Sequence, residues 1–166
     1  MTLVHLFGKM HHLERHLKDW TMFFHTSYLD CIYDNPENYA ELVARVSKKV
    51  LELKTKFHAI AFRGTSGAAM AYPVSIATGI PLICIRKPTE DAHGDPVEGS
   101  TKFDVKKYII IDDFMSSGAT VDAIIESINK HSNNSVKCVG IVLYGNDYNS
   151  YNKWGDIPVT RIKNST

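Results

Sequence analysis

The feature that most constrains the fold is an apolar run, residues 108–111, that ends directly in two adjacent carboxylates, Asp112 and Asp113. A run of this kind is typical of a strand that is covered on both faces of a sheet. Because neighbouring carboxylates repel each other and each prefers water, their place at the mouth of a buried strand indicates a function. The pair alone is also compatible with a solvated strand end, so the surrounding residues are needed to interpret it.

Strand-like and helix-like segments alternate along the chain. Strands are predicted at 57–62, 81–86, 108–111, 136–144 and 158–162, and helices at 35–54, 68–78 and 119–130. Asn35 is placed to cap the first helix, Pro36 suits its first position, and Gly79 suits the end of the second. This order predicts an α/β fold with a mostly parallel sheet flanked by helices. We expect one domain over residues 1–166, with its core at about 36–144.

Composition narrows the function classes. A net charge of +1 over 166 residues gives no basic face for nucleic acid. No apolar run approaches the ~18 residues of a membrane span, and the first residues become charged too early for a secretory signal. Cys84 and Cys138 fall in predicted strands and are interpreted as small buried hydrophobic residues. We therefore expect a reduced, soluble, cytoplasmic domain with neither nucleic acid nor membrane as a partner.

The small residues after Asp113 are suited to a phosphate. They open a predicted helix, where unpaired N–H groups and the helix dipole favour an anion. The hydroxyl groups of Ser116, Ser117 and Thr120 can add hydrogen bonds, and Gly118 allows the backbone to approach closely. The two acids suit neutral sugar hydroxyls or a metal ion, because a phosphate would repel them. A sugar phosphate is therefore the predicted ligand.

Two further segments belong to the same prediction. The sequence RGTSG, residues 63–67, also follows a predicted strand and is expected to form a turn that faces the same crevice. Residues 87–102 are polar and contain Pro88 and Gly94, so we expect a long loop. Loops of this length are typically lids or binding segments, although a plain connector is the alternative.

These residues carry a family resemblance. IIIDDFMSSGAT, residues 109–120, resembles the phosphoribosyl-pyrophosphate (PRPP) motif of type I phosphoribosyltransferases at every position. Residues 61–87 resemble the pyrophosphate-loop strand, turn and helix of that family, followed by its strand ending in Arg-Lys. RKPTEDAHGDPVEG, residues 86–99, is similar to the mobile catalytic loop of orotate phosphoribosyltransferases. The resemblance implies that family's α/β fold, with a mobile loop and a small hood from the N-terminal segment, residues 145–166, or both.

The resemblance also implies roles for matched residues. Asp112 and Asp113 would hold the ribose hydroxyls, and a base nitrogen would displace pyrophosphate through an oxocarbenium-like transition state. Mg²⁺ would bind mainly through PRPP, with Asp112 and Asp113 as further candidate ligands. The implied catalytic residues are Lys87, His93, Asp112 and Asp113. The implied PRPP-binding residues are Thr65, Ser66, Gly67, Arg86, Lys87, Asp112, Asp113, Ser116, Ser117, Gly118, Ala119 and Thr120. A homodimer is expected, since the related loop acts across a dimer interface in orotate enzymes.

The acceptor base stays open. Residues 88–92 contain two acids where the orotate-type loop has a further Lys, and Ser116 stands where enzymes for 6-oxopurines usually place an Asp. The candidates for base contact are Tyr144, Asp147 and Tyr148, in a tail similar to the Asp-Tyr-Asn segment of hypoxanthine-guanine enzymes. Packing of this aromatic tail, which includes Tyr151 and Trp154, on the core is an equally good interpretation.

Three hypotheses follow for the function. The first is a Mg²⁺-dependent phosphoribosyltransferase that joins PRPP to a purine or pyrimidine nucleobase and releases pyrophosphate. The second keeps the PRPP pocket and makes the protein a catalytically weak PRPP-binding regulator. The third is an α/β enzyme for another sugar phosphate.

For Arg63, a surface position and a ligand role are given equal weight.

Overall fold

The computed structural model describes residues 32, 35–53, 57–87, 95–99, 104–145 and 151–162. The helices in these ranges are α1 (Pro36–Leu53), α2 (Gly64–Thr78) and α3 (Ala119–Ser132). The strands are β1 (Ala59–Arg63), β2 (Leu82–Ile85), β3 (Val97–Gly99), β4 (Lys107–Asp112), β5 (Lys137–Leu143), β6 (Lys153–Trp154) and β7 (Ile157–Arg161).

Over the described residues, the strands form a seven-stranded sheet in the order β3-β2-β1-β4-β5-β7-β6. The five strands from β2 to β7 run parallel, and the short strands β3 and β6 pair antiparallel at the two edges. Helix α2 connects β1 to β2, and α3 connects β4 to β5. The predicted α/β fold with a mostly parallel sheet is confirmed.

The apolar run on β4 explains why the sheet is covered on both faces. Ile109 and Ile111 pack with α1 and α2 in one cluster, whereas Tyr108 and Ile110 pack with α3 in the other. All four side chains are at most 1% exposed. Burying an isoleucine contributes about 1.5–3 kcal/mol, so the run fixes β4 at the centre of the sheet and brings its carboxyl end to a defined place.

Helix α1 begins as the sequence predicts. The Oδ1 atom of Asn35 accepts hydrogen bonds from the backbone N–H groups of Glu37 and Asn38, each at 3.1 Å. Pro36 occupies the first helical position. This cap satisfies two of the N–H groups that the start of a helix leaves without partners.

Two local predictions are wrong. Residues 64–67 are the first turn of α2 rather than a separate turn, because Gly64 adopts a left-handed φ of 69° and lets the chain enter the helix directly from β1. Within the predicted loop at 87–102, Val97–Gly99 forms β3, which pairs with β2. The loop prediction missed it because a strand of three residues is shorter than any apolar pattern can indicate.

The C-terminal hairpin of β6 and β7 is continuous with the main sheet through the pairing of β7 with β5. The predicted contribution of the N-terminal segment to a hood lies outside the described residues. In the part of the chain that the structure describes, no helix combines the length and the apolarity that crossing a membrane requires.

Candidate functional site

A cavity of about 530 Å³ lies at the carboxyl ends of β1 and β4, where α2 and α3 begin. The described residues that line it are Arg63, Gly64, Ser66, Lys87, Asp112, Asp113, Phe114, Met115, Ser116, Ser117, Gly118, Ala119, Thr120 and Val121. The prediction that the two strand ends face one crevice is therefore confirmed. Parallel strands place their carboxyl ends on the same edge of the sheet, which is why residues far apart in the sequence meet here.

The two carboxylates are buried at the wall of this cavity, each residue being 5% exposed. The Oδ1 atom of Asp112 accepts hydrogen bonds from the Ser66 hydroxyl at 3.2 Å and from the Asp113 N–H at 3.0 Å. Burial, together with the neighbouring Asp113 charge, raises the pKa of Asp112 to about 7. The position is therefore electrostatically unfavourable without a ligand.

Only one of the two carboxylate oxygens of Asp113 makes a hydrogen bond within the described residues. Its Oδ1 atom accepts a hydrogen bond from the N–H of Phe114 at 2.8 Å. Its Oδ2 atom is buried and has no hydrogen-bond partner among the described residues. A buried acceptor without a partner is rare and costly, so this atom is suited to a donor supplied by a ligand.

Neither N-cap residue of the two helices that start at the cavity provides a side-chain cap, although the Ser117 hydroxyl accepts a long hydrogen bond, at 3.4 Å, from the N–H of Ala119 in α3. Arg63 precedes α2 in an extended conformation and Gly118 precedes α3 with a φ of 79°, and neither N-cap residue makes a side-chain capping hydrogen bond. The contrast with α1, which Asn35 caps away from this cavity, is informative. Uncapped N–H groups and the positive end of the helix dipole form an anion-binding arrangement. Two such arrangements face one cavity.

Positive side chains line the end of the cavity near α2. Lys87 lies over Gly64, since a Cβ atom added to that glycine would come within 3.0 Å of Lys87 Cε and 3.2 Å of its Nζ. Arg63 also lines the cavity, and its Nε atom is buried without a hydrogen-bond partner among the described residues. The sequence favoured neither a surface role nor a ligand role for Arg63; the structure places it in the cavity lining with Lys87, and the ligand role stays a prediction.

Arg86 is held outside the described cavity lining. Its Nε and Nη2 atoms donate to the two carboxylate oxygens of Glu98 on β3, at 2.8 and 3.2 Å. These hydrogen bonds lower the pKa of Glu98. The predicted pair of cations is thus divided, with Lys87 at the cavity and Arg86 on the β2–β3 hairpin.

Two other predicted PRPP contacts are placed at the start of α2 without lining the described cavity. Thr65 is exposed. Gly67 is buried, and a Cβ atom there would lie 3.1 Å from Phe62 Cβ and 3.3 Å from the Ile111 carbonyl oxygen. The absence of a side chain at Gly67 lets the first turn of α2 pack closely on β1 and β4. Its backbone contact with pyrophosphate stays a prediction.

The structure corrects the prediction that Tyr144 contacts a base. The residue is 1% exposed, and its hydroxyl donates to the Ser66 carbonyl oxygen at 2.6 Å, so its ring has no free face for stacking. The burial of the neighbouring strand β5 explains this placement. The other predicted base contacts, Asp147 and Tyr148, and the predicted catalytic His93 lie outside the described residues.

Gly145 does not line the cavity, but it contacts the backbone of the acid pair, a role that was not predicted from the sequence. Its N–H donates to the Asp113 carbonyl oxygen at 2.7 Å, and an added Cβ atom would lie 2.8 Å from that oxygen. The signal available in the sequence was a glycine directly after an apolar strand, which often marks a close backbone approach. This hydrogen bond holds the residue after the end of β5 against the backbone of Asp113.

The acid pair fits a magnesium ion that is held largely by ligand oxygens. Mg²⁺ prefers oxygen ligands and is usually bound through one or two carboxylates together with substrate phosphates. The buried Asp113 Oδ2 atom, which has no hydrogen-bond partner in the described ranges, is an oxygen that could serve as such a ligand. Within the described ranges, no group of three or more His, Cys, Asp or Glu side chains is placed to hold a metal ion.

The sheet order and the position of the cavity define the type I phosphoribosyltransferase fold, and solved structures share it. Orotate phosphoribosyltransferase from Francisella tularensis is 20% identical with a TM-score of 0.51, over 67% of this chain and 53% of its own. The Aeropyrum pernix orotate enzyme is 15% identical with a TM-score of 0.53, over 68% of this chain and 61% of its own. Adenine phosphoribosyltransferase from Trypanosoma brucei, solved with AMP, pyrophosphate and ribose-5-phosphate, is 15% identical with a TM-score of 0.56, over 79% and 66%.

The family match is more specific than the fold. Residues 12–155 match PRTase-CE, and the chain belongs to this family. No curated protein sequence matches the chain. The chain spans little more than half the length of the Francisella enzyme and about 61% of the Aeropyrum enzyme.

Proposed function

We propose that the protein transfers the phosphoribosyl group of PRPP to a purine or pyrimidine nucleobase and releases pyrophosphate. The observation that carries the proposal is that two helix starts, neither of them capped by the side chain of its N-cap residue, meet a buried acid pair around one cavity. PRPP carries a phosphate, a diol and a pyrophosphate, and this arrangement offers one type of partner for each. The likeness in fold to orotate and adenine phosphoribosyltransferases supports the same assignment.

The 5′-phosphate would bind at the start of α3, where residues 116–120 present backbone N–H groups and hydroxyls. The ribose hydroxyls would donate to Asp112 and to the Oδ2 atom of Asp113, which is buried without a partner among the described residues. These donors would stabilise the ionised form of Asp112 and so offset the burial that raises its pKa. Ribose binding would therefore favour the ionised form of the acid pair.

The pyrophosphate would bind at the start of α2. The N–H groups of its first turn, together with Arg63 and Lys87, would stabilise the charge that develops on the leaving group. Mg²⁺ would supply further positive charge at the pyrophosphate oxygens. Since the reaction has an oxocarbenium-like transition state, the carboxylates beside the ribose would also stabilise positive charge on the ring. The expected homodimer and its role in catalysis belong to this proposal.

A second function, PRPP binding with little turnover, is favoured by one observation. Arg86 is engaged by Glu98, and residues 88–92 contain two acids and no lysine. Fewer cations at the pyrophosphate weaken stabilisation of the leaving group while leaving the ribose and phosphate contacts intact. A protein of this kind would bind PRPP and report its concentration to a partner.

A pyrophosphate-release assay with PRPP, Mg²⁺ and a panel of purine and pyrimidine bases tests the two functions against each other. Release with any base supports the enzyme, and PRPP binding by calorimetry without release supports the regulator. Absence of PRPP binding would contradict both and favour another sugar-phosphate enzyme. The variant Asp113→Asn should lose most PRPP affinity, by about tenfold or more if one charge-assisted hydrogen bond is lost.

Glu126→Gln is the matched control for that variant. Glu126 is exposed on α3 and does not line the described cavity, so its replacement removes the same charge away from the ligand. Equal losses in the two variants would indicate a general effect of charge rather than a contact with PRPP.

A further inference from the structure

Trp154 packs against Gly118, the N-cap residue that precedes α3. A Cβ atom added to Gly118 would lie 2.1 Å from Trp154 Cη2, 2.2 Å from Cζ2 and 2.8 Å from Cζ3. The indole ring therefore occupies the space that any side chain at this position would need. Among the described residues, Trp154 is not part of the cavity lining, whereas Gly118 is. The ring therefore contacts the residue before α3 without lining the cavity.

Hydrogen bonds connect the ring to the first turn of the helix. Trp154 Nε1 donates to the Oδ1 atom of Asp122 at 2.7 Å. The backbone N–H of Asp122 in turn donates to the Gly118 carbonyl oxygen at 2.9 Å. Tyr151 packs edge-on against the ring, with centroids 6.2 Å apart and planes at 87°. Gly118 is therefore linked to the C-terminal hairpin by both a packing contact and a polar contact.

The hairpin that carries Trp154 is joined to the main sheet. Strand β7 pairs with β5 in the main sheet, and Trp154 on β6 packs against the core cluster beneath α3. Gly118 has a left-handed conformation and no side chain, so contacts from other residues are needed to restrict its backbone. A phosphate ligand at this turn requires N–H groups that already point at it, since reorganisation of the turn would reduce affinity.

We propose that Trp154 is a positioning residue for the phosphate of the ligand: its ring and its N–H group hold Gly118 and the start of α3 in the conformation that binds the anion. The inference rests on the proposed function, because it assigns the 5′-phosphate to this turn. It separates Trp154 from a base-stacking role, which would need the ring on the cavity side.

The test compares two ligands that probe the two ends of the cavity. Binding of ribose 5-phosphate and of inorganic pyrophosphate, each with Mg²⁺, is measured by calorimetry for the full chain and its variants. Trp154→Ala should weaken the binding of ribose 5-phosphate by about tenfold, the effect of one misaligned charge-assisted hydrogen bond. The binding of pyrophosphate should weaken by less than about twofold. Trp154→Phe keeps an aromatic ring on the hairpin but lacks both the N–H group and the outer ring atoms that contact Gly118, so it should give a loss close to that of Trp154→Ala.

Val159→Ala is the matched control for loss of hairpin stability. Val159 lies on β7 and packs on the same core cluster without being part of the cavity lining described above. This variant should lower the melting temperature while the ratio of the two affinities stays unchanged. A merely structural role of Trp154 would give the same pattern for Trp154→Phe, and that result would overturn the proposal.

A spectroscopic readout separates this inference from the proposed function. The chain has two tryptophans, so Trp20→Phe leaves Trp154 as the sole indole. Because the phosphate places negative charge beside the residue that the ring contacts, the emission should change on addition of ribose 5-phosphate more than on addition of pyrophosphate. If the wild-type chain binds PRPP but the emission and the Trp154 variants show no effect, only this inference fails. If the wild-type chain binds neither PRPP nor ribose 5-phosphate, the proposed function fails and the inference with it.

Discussion

The two strand-to-helix connections at the cavity are built differently. β1 enters α2 directly at Gly64, with Arg63 as the preceding residue and Lys87 lying over the junction. Residues 113–118 separate β4 from α3, and their acid is buried beside Asp112. The first connection combines backbone N–H groups with cationic side chains, whereas the second combines them with carboxylates.

This difference shows how one cavity can distinguish the parts of a ligand. A connection with cations suits the group of highest negative charge, and a connection with carboxylates suits a phosphate only if hydroxyl donors lie between the acids and the anion. The shared element is the uncapped helix start. The residues around it therefore decide which part of the ligand is bound at each end.

The largest expected effect is a difference in stability between alanine variants of the two glycines at the helix starts, Gly118 and Gly64. Gly118→Ala should lower the free energy of unfolding by about 3 kcal/mol, because it combines left-handed strain with overlap of the Trp154 ring. Gly64→Ala should lower it by about 1 kcal/mol, since it has similar strain but meets only the flexible end of Lys87. Urea denaturation measures both values.

A double mutant identifies the cause of that difference. In a Trp154→Ala background the ring is absent, so Gly118→Ala should cost only the strain, about 1 kcal/mol. An unchanged cost in that background would contradict the proposed overlap and reduce the difference between the two connections to backbone conformation.

The second prediction concerns the carboxylates that only one connection carries. The pKa of Asp112 is raised to about 7 in the folded protein, above its value in the unfolded chain. Its contribution to stability is therefore present at low pH and is lost as the pH rises through about 7. Asp112→Asn should raise the free energy of unfolding of the ligand-free protein by about 2 kcal/mol at pH ~8 and have little effect at pH ~4. Denaturation curves at the two pH values measure this. An equal gain in stability at the two pH values would show that burial does not disfavour the ionised carboxylate.

The third prediction tests a contact between the first connection and the end of β5, the hydrogen bond of Tyr144 to the start of α2. Tyr144→Phe removes the hydrogen bond to the Ser66 carbonyl oxygen and should lower the free energy of unfolding by about 1 kcal/mol. Tyr108→Phe is the control, because the buried Tyr108 hydroxyl has no hydrogen-bond partner among the described residues. Its removal should leave stability unchanged or raise it. Equal losses in the two variants, measured by thermal unfolding, would show that the Tyr144 hydrogen bond contributes nothing specific.

The smallest expected effect tests the division of the cations. Glu98→Gln removes the charge that holds Arg86 and should tighten pyrophosphate binding by about threefold, because the anion no longer competes with a carboxylate. Glu126→Gln removes an equal charge elsewhere and serves as the comparison. Weaker pyrophosphate binding in Glu98→Gln, measured by calorimetry, would mean that Glu98 organises the hairpin for binding instead.

Much of the fold and half of the site followed from local pattern. The apolar runs, the Asn35-Pro36 start of α1 and the acids followed by small residues each indicate a structure through neighbours in the chain. The start of α2 did not, because a single left-handed residue, Gly64, replaced the expected turn. The three-residue strand β3 was missed because its partner β2 stabilises it, and its own residues carry no pattern.

The α/β architecture and the succession of two acids and small residues before a helix were readable from the sequence alone, because burial periodicity and helix starts depend on residues close together in the chain. Only the tertiary structure decided which side chains reach the cavity. Arg86 pairs with Glu98, 12 positions away, Trp154 bonds to Asp122 across 32, and Tyr144 bonds to Ser66 across 78. Contacts over such separations are set by the order in which strands and helices pack, and no local pattern encodes that order.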